Sequence, residues 1–457
     1  MNKNKIPIFS PILPSRLSPS RLLLLTGALA IGTAIASADY ADEANALEMR
    51  GDRQGAIAIL EEAKNIGNHD AELYLGRMAY RNYEFDKARS HYAAYSKQRK
   101  KASEHGLKLL SESERQLRDA KGFMERVEKI TIIDSIAVDA DSFFKAYRLP
   151  VSAGALLPAD SIPFADRRDD SVMVFANENR DFMMWCEADS TGYTRLAESI
   201  RLTDGKWNTP TLAPETLNGG GNADFPFMMA DGTTLYYAND GEESIGGLDI
   251  FIATRDAATG EYLQPQNIGM PYNSPYDDYL LAIDELNGIG WWATDRNRLG
   301  DKVTVYVFMV NDIRKNYDSE ELEEDEILDY AMIRNWRDTQ EEEDAPRIEE
   351  ALAAVKSINP EQTARRADFH FPIGGGREYT TLDDFPDQTS RSMMKQYLAT
   401  QKEYDSLAAD LDAMRREYHE RPSKAQGAEI SRLEKEEAAA AEKLRKARSE
   451  VYRALRR

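Results

Sequence analysis

The sequence predicts a multidomain α+β protein with helical repeats at the N-terminus, an all-β centre and a helical hairpin at the C-terminus. Three observations predict this order. Apolar residues recur at helical spacing without a proline across 39–127, alternate between turn glycines across 128–316, and return to helical spacing across 386–457. With 457 residues, the chain is long enough for two or three domains.

Composition and charge exclude several classes of function. Acidic residues number 79 against 58 basic ones, a formal net charge of -21, so the surface repels phosphate backbones and nucleic acid is not expected as a partner. The single cysteine, Cys186, excludes an internal disulfide framework. Five histidines show no H-E-x-x-H spacing, so neither a metal nor a cofactor is predicted: His69, His91, His105, His370 and His419.

The first residues have the order of a secretory signal peptide. Basic residues such as Arg16 and Arg21 precede an apolar run at 22–31, and Ala36-Ser37-Ala38 supplies an A-x-A cleavage site. We therefore expect residues 1–38 to direct export, and a periplasmic or outer-membrane-associated location. Cleavage is expected after Ala38, since the apolar stretch is shorter than a usual membrane span, and retention of the segment as a membrane anchor is the alternative.

Residues 39–127 show a helical repeat. Ala56 and Leu60 recur at a constant separation as Ala88 and Tyr92, and Gly76 lies between them on an earlier helix. Small residues at such positions let paired helices approach closely. This pattern resembles the tetratricopeptide repeat, with about two units and a charged last helix over 97–127. An ordinary helical bundle is the alternative.

The all-β centre repeats at a constant separation. Gly205 and Gly260 are each followed two positions later by an aromatic residue, and Asp240 and Asp295 have the same separation as this glycine pair. Each unit contains four short strands between turn residues. We expect three units, at 169–218, 219–273 and 274–310, and we pair their aspartates as follows: Asp224 with Asp278, and Asp240 with Asp295.

Four-stranded units repeated at such a constant period are typical of a β-propeller, here across 128–316. We expect about four or five blades closed into a ring, with further strands supplied by 129–164 and by a strand pair at 365–385. An antiparallel sandwich is the alternative. The acidic segment 317–364 is predicted as a solvated helical insertion or linker.

The last segment, 386–457, is predicted as an antiparallel helical hairpin or coiled coil. Its two amphipathic helices are separated at Pro422. Its apolar stripe needs a partner, which is either the returning helix or another chain.

Residues 231–251, DGTTLYYANDGEESIGGLDIF, carry a family resemblance. The pattern DG-x-x-LYY-x-ND followed by GG-x-DIF resembles the WD40-like repeat called PD40, found in the Tol-system periplasmic propeller and in bacterial envelope proteins, and 288–308 resembles a degenerate second copy. Helical repeats before such a propeller are similar to periplasmic components of the type IX secretion and gliding machinery. This chain ends in a helical hairpin where some of those proteins carry an OmpA-type domain.

The resemblance implies a non-catalytic scaffold of the cell envelope, with no catalytic, cofactor-binding or metal-binding residues. Expected partners are envelope proteins, including outer-membrane proteins, bound through the helical repeats, the propeller face or the hairpin, and self-association is also expected. The alternative is a glycan-binding propeller or a glycoside hydrolase with paired carboxylates. Its candidate acids are Asp224, Asp240, Asp249, Asp278 and Asp295, although repeated positions favour a structural role in turns.

Two adjacent aromatic pairs, Tyr236-Tyr237 and Trp291-Trp292, lie on predicted strands. Neighbouring strand residues point to opposite faces of a sheet, so one ring of each pair faces each side. We expect both rings to pack between sheets. Stacking of the outer ring on a sugar or peptide is the alternative.

Overall fold

The computed structural model describes residues 37–455 except 99, 101, 163–171, 203–204, 257, 312, 319–321, 342, 344, 359–368, 370, 375–376, 380 and 421–422. Nearly all of the predicted signal peptide lies outside the described residues. The chain forms two compact units, Met1–Ala364 and Arg365–Arg457. Its mixed α+β class agrees with the prediction.

The N-terminal part is a layer of five helices. They are α1 (Ser37–Met49), α2 (Arg53–Asn65), α3 (Ala71–Arg81), α4 (Phe85–Lys97) and α5 (Glu104–Met124). Helix α1 packs on α2, α3 packs on α4, and α5 packs on both α3 and α4. Side chains start two of the helices: Asp52 accepts a hydrogen bond from the Gly55 amide, and Ser103 from the Gly106 amide.

Small residues bring these helices together as the repeat predicts. Ala56 and Ala88 are fully buried, and the Leu60 side chain is also buried in the layer. A Cβ atom at Gly76 of α3 would lie 2.5 Å from the ring of Tyr92 in α4. The close helix pairs are therefore confirmed, while the relation to the tetratricopeptide family stays a prediction.

Thirteen strands of the described residues form three antiparallel sheets. The strands are β1 (Thr131–Asp139), β2 (Ala155–Pro158), β3 (Met173–Ala176), β4 (Phe182–Ala188), β5 (Thr194–Ile200), β6 (Thr211–Leu212), β7 (Ala223–Met228), β8 (Thr234–Asn239), β9 (Asp249–Thr254), β10 (Gln266–Asn267), β11 (Asp278–Asp284), β12 (Ile289–Leu299) and β13 (Lys302–Met309). The first sheet has the order β2-β3-β4-β5-β6, the second β10-β9-β8-β7, and the third β1-β13-β12-β11.

The predicted repeat is visible in the backbone. Gly205 and Gly260 have φ of +84° and +74°, the left-handed region that glycine adopts without strain. In each of these turns an arginine donates from Nε to the glycine carbonyl oxygen over 3.0 Å, Arg201 to Gly205 and Arg255 to Gly260. The prediction that these turns are equivalent is confirmed.

A second repeated feature corrects one predicted pairing. Phe225 and Leu280 are separated by the same number of residues as Gly205 and Gly260, and their φ angles are +49° and +51°. Each lies where its strand changes register against the next strand. Asp224 is paired with Ala238, and Tyr279 with Ala293, again at the same separation. Asp224 is therefore equivalent to Tyr279, and its predicted equivalence to Asp278 is wrong by one position.

The predicted ring of four or five blades is not confirmed. Among the described residues of the first unit there are three sheets of four or five strands. Strand β1 forms the outer edge of the third sheet and β2 an edge of the first, so the segment 129–164 adds strands to existing sheets instead of forming another.

Three further helices of the first unit lie between or after the sheets: α6 (Glu215–Asn218), α7 (Glu324–Met332) and α8 (Ala345–Ser357). Helix α8 contacts β1, and its Ala351 belongs to the same hydrophobic cluster as Trp291 and Val305 of the third sheet. A helix thus covers a face of the third sheet that a further blade would occupy in a ring.

The described part of the acidic segment 317–364 contains helices, as predicted, but they are packed and do not form a loose linker. Ile327 and Ala331 of α7 are buried against the helical layer. The turn Trp336–Gln340 binds β1, because Thr339 Oγ1 accepts from the Ile132 amide over 2.9 Å and Gln340 Nε2 donates to the Ile132 carbonyl oxygen over 2.7 Å. A narrow apolar stripe on a strongly acidic segment accounts for the difference.

The sheets stack face to face around a central aromatic group. The ring of Phe143, from the 3-10 turn Ala140–Ala146, lies 5.6 Å from the ring of Phe225 in the second sheet and 5.0 Å from that of Tyr279 in the third. The Tyr147 hydroxyl donates to the Leu280 carbonyl oxygen over 2.8 Å. Two hydrophobic clusters, one on each side of the second sheet, join this sheet to the first and third sheets.

The C-terminal unit consists of a strand pair and a helical hairpin. Its elements are β14 (Phe371–Gly374), β15 (Arg377–Tyr379), α9 (Gln388–Glu420) and α10 (Lys424–Leu455). The two strands pair with each other, and Phe371 packs with Phe385, Met394 and Val451 of the same unit. The expectation that this strand pair closes the ring of sheets is therefore not supported.

The predicted helical hairpin is confirmed. Its helices run antiparallel, since Tyr404 bonds to Glu437 over 2.9 Å and Arg415 to Glu434 over 2.8 Å. Leu411 is buried in this pair, so the partner of the apolar stripe is the returning helix. Among the helices of the described residues, none is long and apolar enough to cross a membrane.

Candidate interaction site between the helices and the second sheet

The helical layer holds the loop between β8 and β9 by its backbone. Three consecutive carbonyl oxygens accept hydrogen bonds from helix side chains. Arg115 Nη1 donates to Ser244 over 3.1 Å, Tyr80 Oη to Ile245 over 2.6 Å, and Gln116 Nε2 to Gly246 over 2.8 Å. The loop is therefore bound by side chains of α3 and α5, within the helical layer that the sequence predicts as a protein-binding module.

An apolar contact anchors the same loop. The Ile245 side chain is fully buried and belongs to the hydrophobic cluster of the helical layer. Glycine is required next to it, because a Cβ atom at Gly246 would collide with the backbone of Tyr276 and one at Gly247 with the carboxylate of Asp277. The helices thus combine side-chain hydrogen bonds to the loop backbone with one apolar contact at Ile245, a common mode of protein recognition.

Asp249 fixes the loop from the side of the sheet. Its carboxylate accepts from the amides of Ile245 and Gly246 over 2.9 and 3.1 Å, and from Asn267 Nδ2 over 2.6 Å. Burial raises the pKa of Asp249 to about 8, although the hydrogen bond from the Ile245 amide acts in the opposite direction. This aspartate is therefore part of the frame that presents the loop to the helices.

Asp278 forms a buried ion pair nearby. Its Oδ1 lies 2.7 Å from Nη2 of Arg296, and its Oδ2 accepts from the amide and hydroxyl of Ser274 over 2.6 Å each. Burial raises the pKa of Asp278, and the charge of Arg296 opposes that rise. A buried pair of this kind is costly to break, because the remaining charge has no compensating partner.

Asp240 and Asp295 perform one structural task in successive sheets. Asp240 Oδ1 accepts from the Asn222 amide over 2.6 Å, and Asp295 Oδ1 from the Asp277 amide over 2.9 Å, in each case 18 residues earlier in the chain. The favoured structural role of these repeated aspartates agrees with this geometry.

The fifth candidate acid, Asp224, accepts a hydrogen bond from the Phe225 amide over 2.6 Å, and burial raises its pKa to about 6. All five candidate acids thus accept hydrogen bonds from neighbouring residues. None of the five lines the cavity between the first two sheets or the smaller one beside α1.

Two asparagines that the sequence analysis did not identify clamp the sheets. Asn273 accepts from the amide of Ile250 and donates to its carbonyl oxygen, both over 2.8 Å. Asn218 does the same to Leu196 over 2.7 and 3.0 Å. Asn218 and Asn273 are the last residues of the first two predicted units, and they are separated by the same number of residues as Gly205 and Gly260. This recurrence could have identified them from the sequence.

The paired aromatic residues lie in the core, as predicted. Trp291 and Trp292 are fully buried in two different hydrophobic clusters, one on each face of the third sheet. Tyr237 is also buried, and Tyr236 is partly buried against both clusters. These rings stabilise the contacts between sheets.

His69, His91 and Cys186 have structural surroundings. His69 stacks on Tyr95 with ring centroids 4.7 Å apart, and His91 Nδ1 lies 3.0 Å from Glu72 Oε1. The described part of the chain has no group of three or more potential metal ligands, and His370 lies outside it. Burial raises the pKa of the Cys186 thiol.

Comparisons of the chain with protein-family models, with curated proteins and with solved structures find no significant match.

Proposed function

We propose that the chain is an exported, non-catalytic scaffold of the bacterial cell envelope that binds other envelope proteins and assists a secretion or outer-membrane complex. Its helices would be of the tetratricopeptide kind, and its sheets blade-like units of the PD40 kind. The constant separation of equivalent turns supports the second assignment, and the close helix pairs support the first.

One observation carries the proposal. The helical layer binds a loop through three consecutive backbone carbonyl oxygens and one buried isoleucine, Ile245. This surface therefore has the chemistry of a protein-binding module, used here within the chain. A scaffold built from such contacts needs shape and hydrogen-bond complementarity but no reacting group.

The candidate acids favour the scaffold over the glycosidase alternative. A glycosidase needs two carboxyl groups that flank a bound sugar, in environments that give them different pKa values. Asp240 and Asp295 instead accept the same kind of hydrogen bond from a backbone amide in successive sheets. Asp249 and Asp278 are fully buried and hydrogen bonded.

The C-terminal hairpin provides a surface for partners. Helices α9 and α10 have 33 and 32 residues, so each extends about 50 Å at 1.5 Å per residue. Exposed ion pairs such as Arg432 with Glu429 and Lys443 with Glu403 lie along it. A long hairpin with a charged surface suits contact with several partners, since linked weak contacts raise the effective affinity.

The test is crosslinking in intact cells followed by mass spectrometry, with the full chain compared to a variant that lacks 388–457. We expect crosslinks from the full chain to other envelope proteins, and their loss in the truncated variant while the fluorescence of the buried tryptophans is unchanged. Recovery of the protein only from the cytoplasm would contradict the proposal. So would hydrolysis of a polysaccharide that Asp224→Ala or Asp278→Ala abolishes.

A further inference from the structure

A cavity of about 260 Å³ lies between the first and second sheets. Its lining comes from the β3–β4 turn, the β7–β8 turn and the end of β9. Phe175 and Met228, both buried, supply apolar surface, and the partly buried Phe182 and Met229 add to it. Such a volume lies just below the range of about 300–1,000 Å³ typical of ligand pockets, so it suits one small ring.

Arg255 is the cation that lines this cavity. Its Nε donates to the Gly260 carbonyl oxygen, and its guanidinium lies 5.8 Å from the ring centre of Tyr262. Its two terminal amino groups have no hydrogen-bond partner in the described part of the chain. The N–H donors of these terminal amino groups can therefore bind a ligand.

Two further polar groups near Arg255 lack partners, although neither of their residues lines the cavity. The Tyr262 hydroxyl and Glu198 Oε2 are buried without a hydrogen bond to any described residue. Burial raises the pKa of Glu198, and the charge of Arg255 opposes the rise. Buried polar atoms without partners are unusual in folded proteins and are commonly satisfied by water or a ligand.

The other polar residues that do line the cavity restrict the class of ligand. Glu178 only accepts hydrogen bonds when ionised, Arg255 only donates them, and Asn179 and Ser152 do both. An anion on Arg255 would be repelled by Glu178, and a cation on Glu178 would be repelled by Arg255. A neutral ring with several hydroxyl groups satisfies both, and its C–H face fits the apolar surface.

We propose that this cavity binds one ring of a neutral saccharide. The site is independent of the proposed scaffold function, because it shares no residue with the loop held by the helices. The neighbouring sheet supplies a matched control: Arg201 makes the same hydrogen bond to Gly205 that Arg255 makes to Gly260, but it does not line the cavity.

The purified full chain is titrated with cellotetraose, maltotetraose and chitotetraose, followed by saturation-transfer NMR and calorimetry. We expect at least one of them to bind, and Arg255→Ala to weaken that binding by roughly 10- to 100-fold, as for a lost hydrogen bond to a charged group. Arg201→Ala should bind like the unmodified protein. Circular dichroism checks that each variant folds.

If Arg255→Ala does not fold, Asn179→Ala gives a second measurement, because this exposed side chain makes no hydrogen bond with the described residues. It should lower the affinity several-fold. Three results would overturn the proposal: no binding of any of the three saccharides, equal weakening by Arg201→Ala, or tighter binding of acetate or methylammonium than of the saccharides.

Discussion

Replacing Asn273 by alanine tests the clamp that joins successive repeats. The change removes the hydrogen bonds to the amide and carbonyl groups of Ile250 and one to Asn267 Oδ1. The Ile250 carbonyl keeps the Ile268 amide as a donor, but its own amide loses its acceptor in a fully buried position. An unsatisfied buried donor costs about 1–3 kcal/mol, and the lost bond to Asn267 adds about 1 kcal/mol.

The free energy of unfolding should therefore fall by roughly 2–4 kcal/mol. With a urea m value of about 3 kcal/mol/M, the unfolding midpoint should move down by about 1 M. Tryptophan fluorescence reports the transition, because Trp185, Trp291 and Trp292 are buried in the sheets. Asn218→Ala, which breaks the equivalent clamp, should give a similar shift, and the exposed Asn179→Ala should give none. Unchanged midpoints in both clamp variants would refute the assigned role.

Three further predictions concern the helical layer, the thiol and the pH dependence. Gly76→Ala places a Cβ atom 2.5 Å from the Tyr92 ring, so it should lower the free energy of unfolding by about 1–3 kcal/mol, as measured by urea unfolding. Gly122→Ala is the control and should cause no such loss, because a Cβ atom there has nothing within 4 Å. The Cys186 thiol is buried with a raised pKa, so it should react with a thiol reagent only after denaturant is added. Burial raises the pKa of Asp249 to about 8 and of Asp277 to about 7. Above the ordinary pKa of aspartate, the folded state therefore keeps protons that the unfolded state has released, and the urea midpoint should fall as pH rises from 5 to 8.5. A midpoint that rises over this range would contradict the prediction.

The sequence predicts the repeats because their signals are local. Gly205 and Gly260 occupy turn positions that require a positive φ, and the glycine itself meets this requirement without any distant contact. Asp240 and Asp295 likewise bind amides only 18 residues away. Turn chemistry at a constant separation is therefore a reliable guide to the units, and the pairing of Asp224 with Asp278 is wrong because it departs from that separation by one residue.

The arrangement of the units could not be predicted in the same way. Strand β1 pairs with β13, Thr131 opposite Met309, and nothing in its alternating pattern specifies so distant a partner. The acidic composition of the segment 317–364 conceals the narrow apolar stripe that includes Ala351, and the sequence of the loop at Ile245 gives no sign that helices bind it. Each of these contacts depends on complementary surfaces far apart in the chain.

The same contacts limit which surfaces remain for partners. The returning helix covers the apolar stripe of the hairpin, so self-association through that stripe loses its physical reason, and the exposed surface is mainly charged. The ion pair of Arg415 with Glu434, for example, has side chains about half exposed. Binding of a partner to the hairpin should therefore weaken as salt rises from 0.1 to 1 M, since the screening length falls from about 10 to about 3 Å. A pull-down at both concentrations measures this, and association that is unchanged by salt would indicate an apolar contact instead.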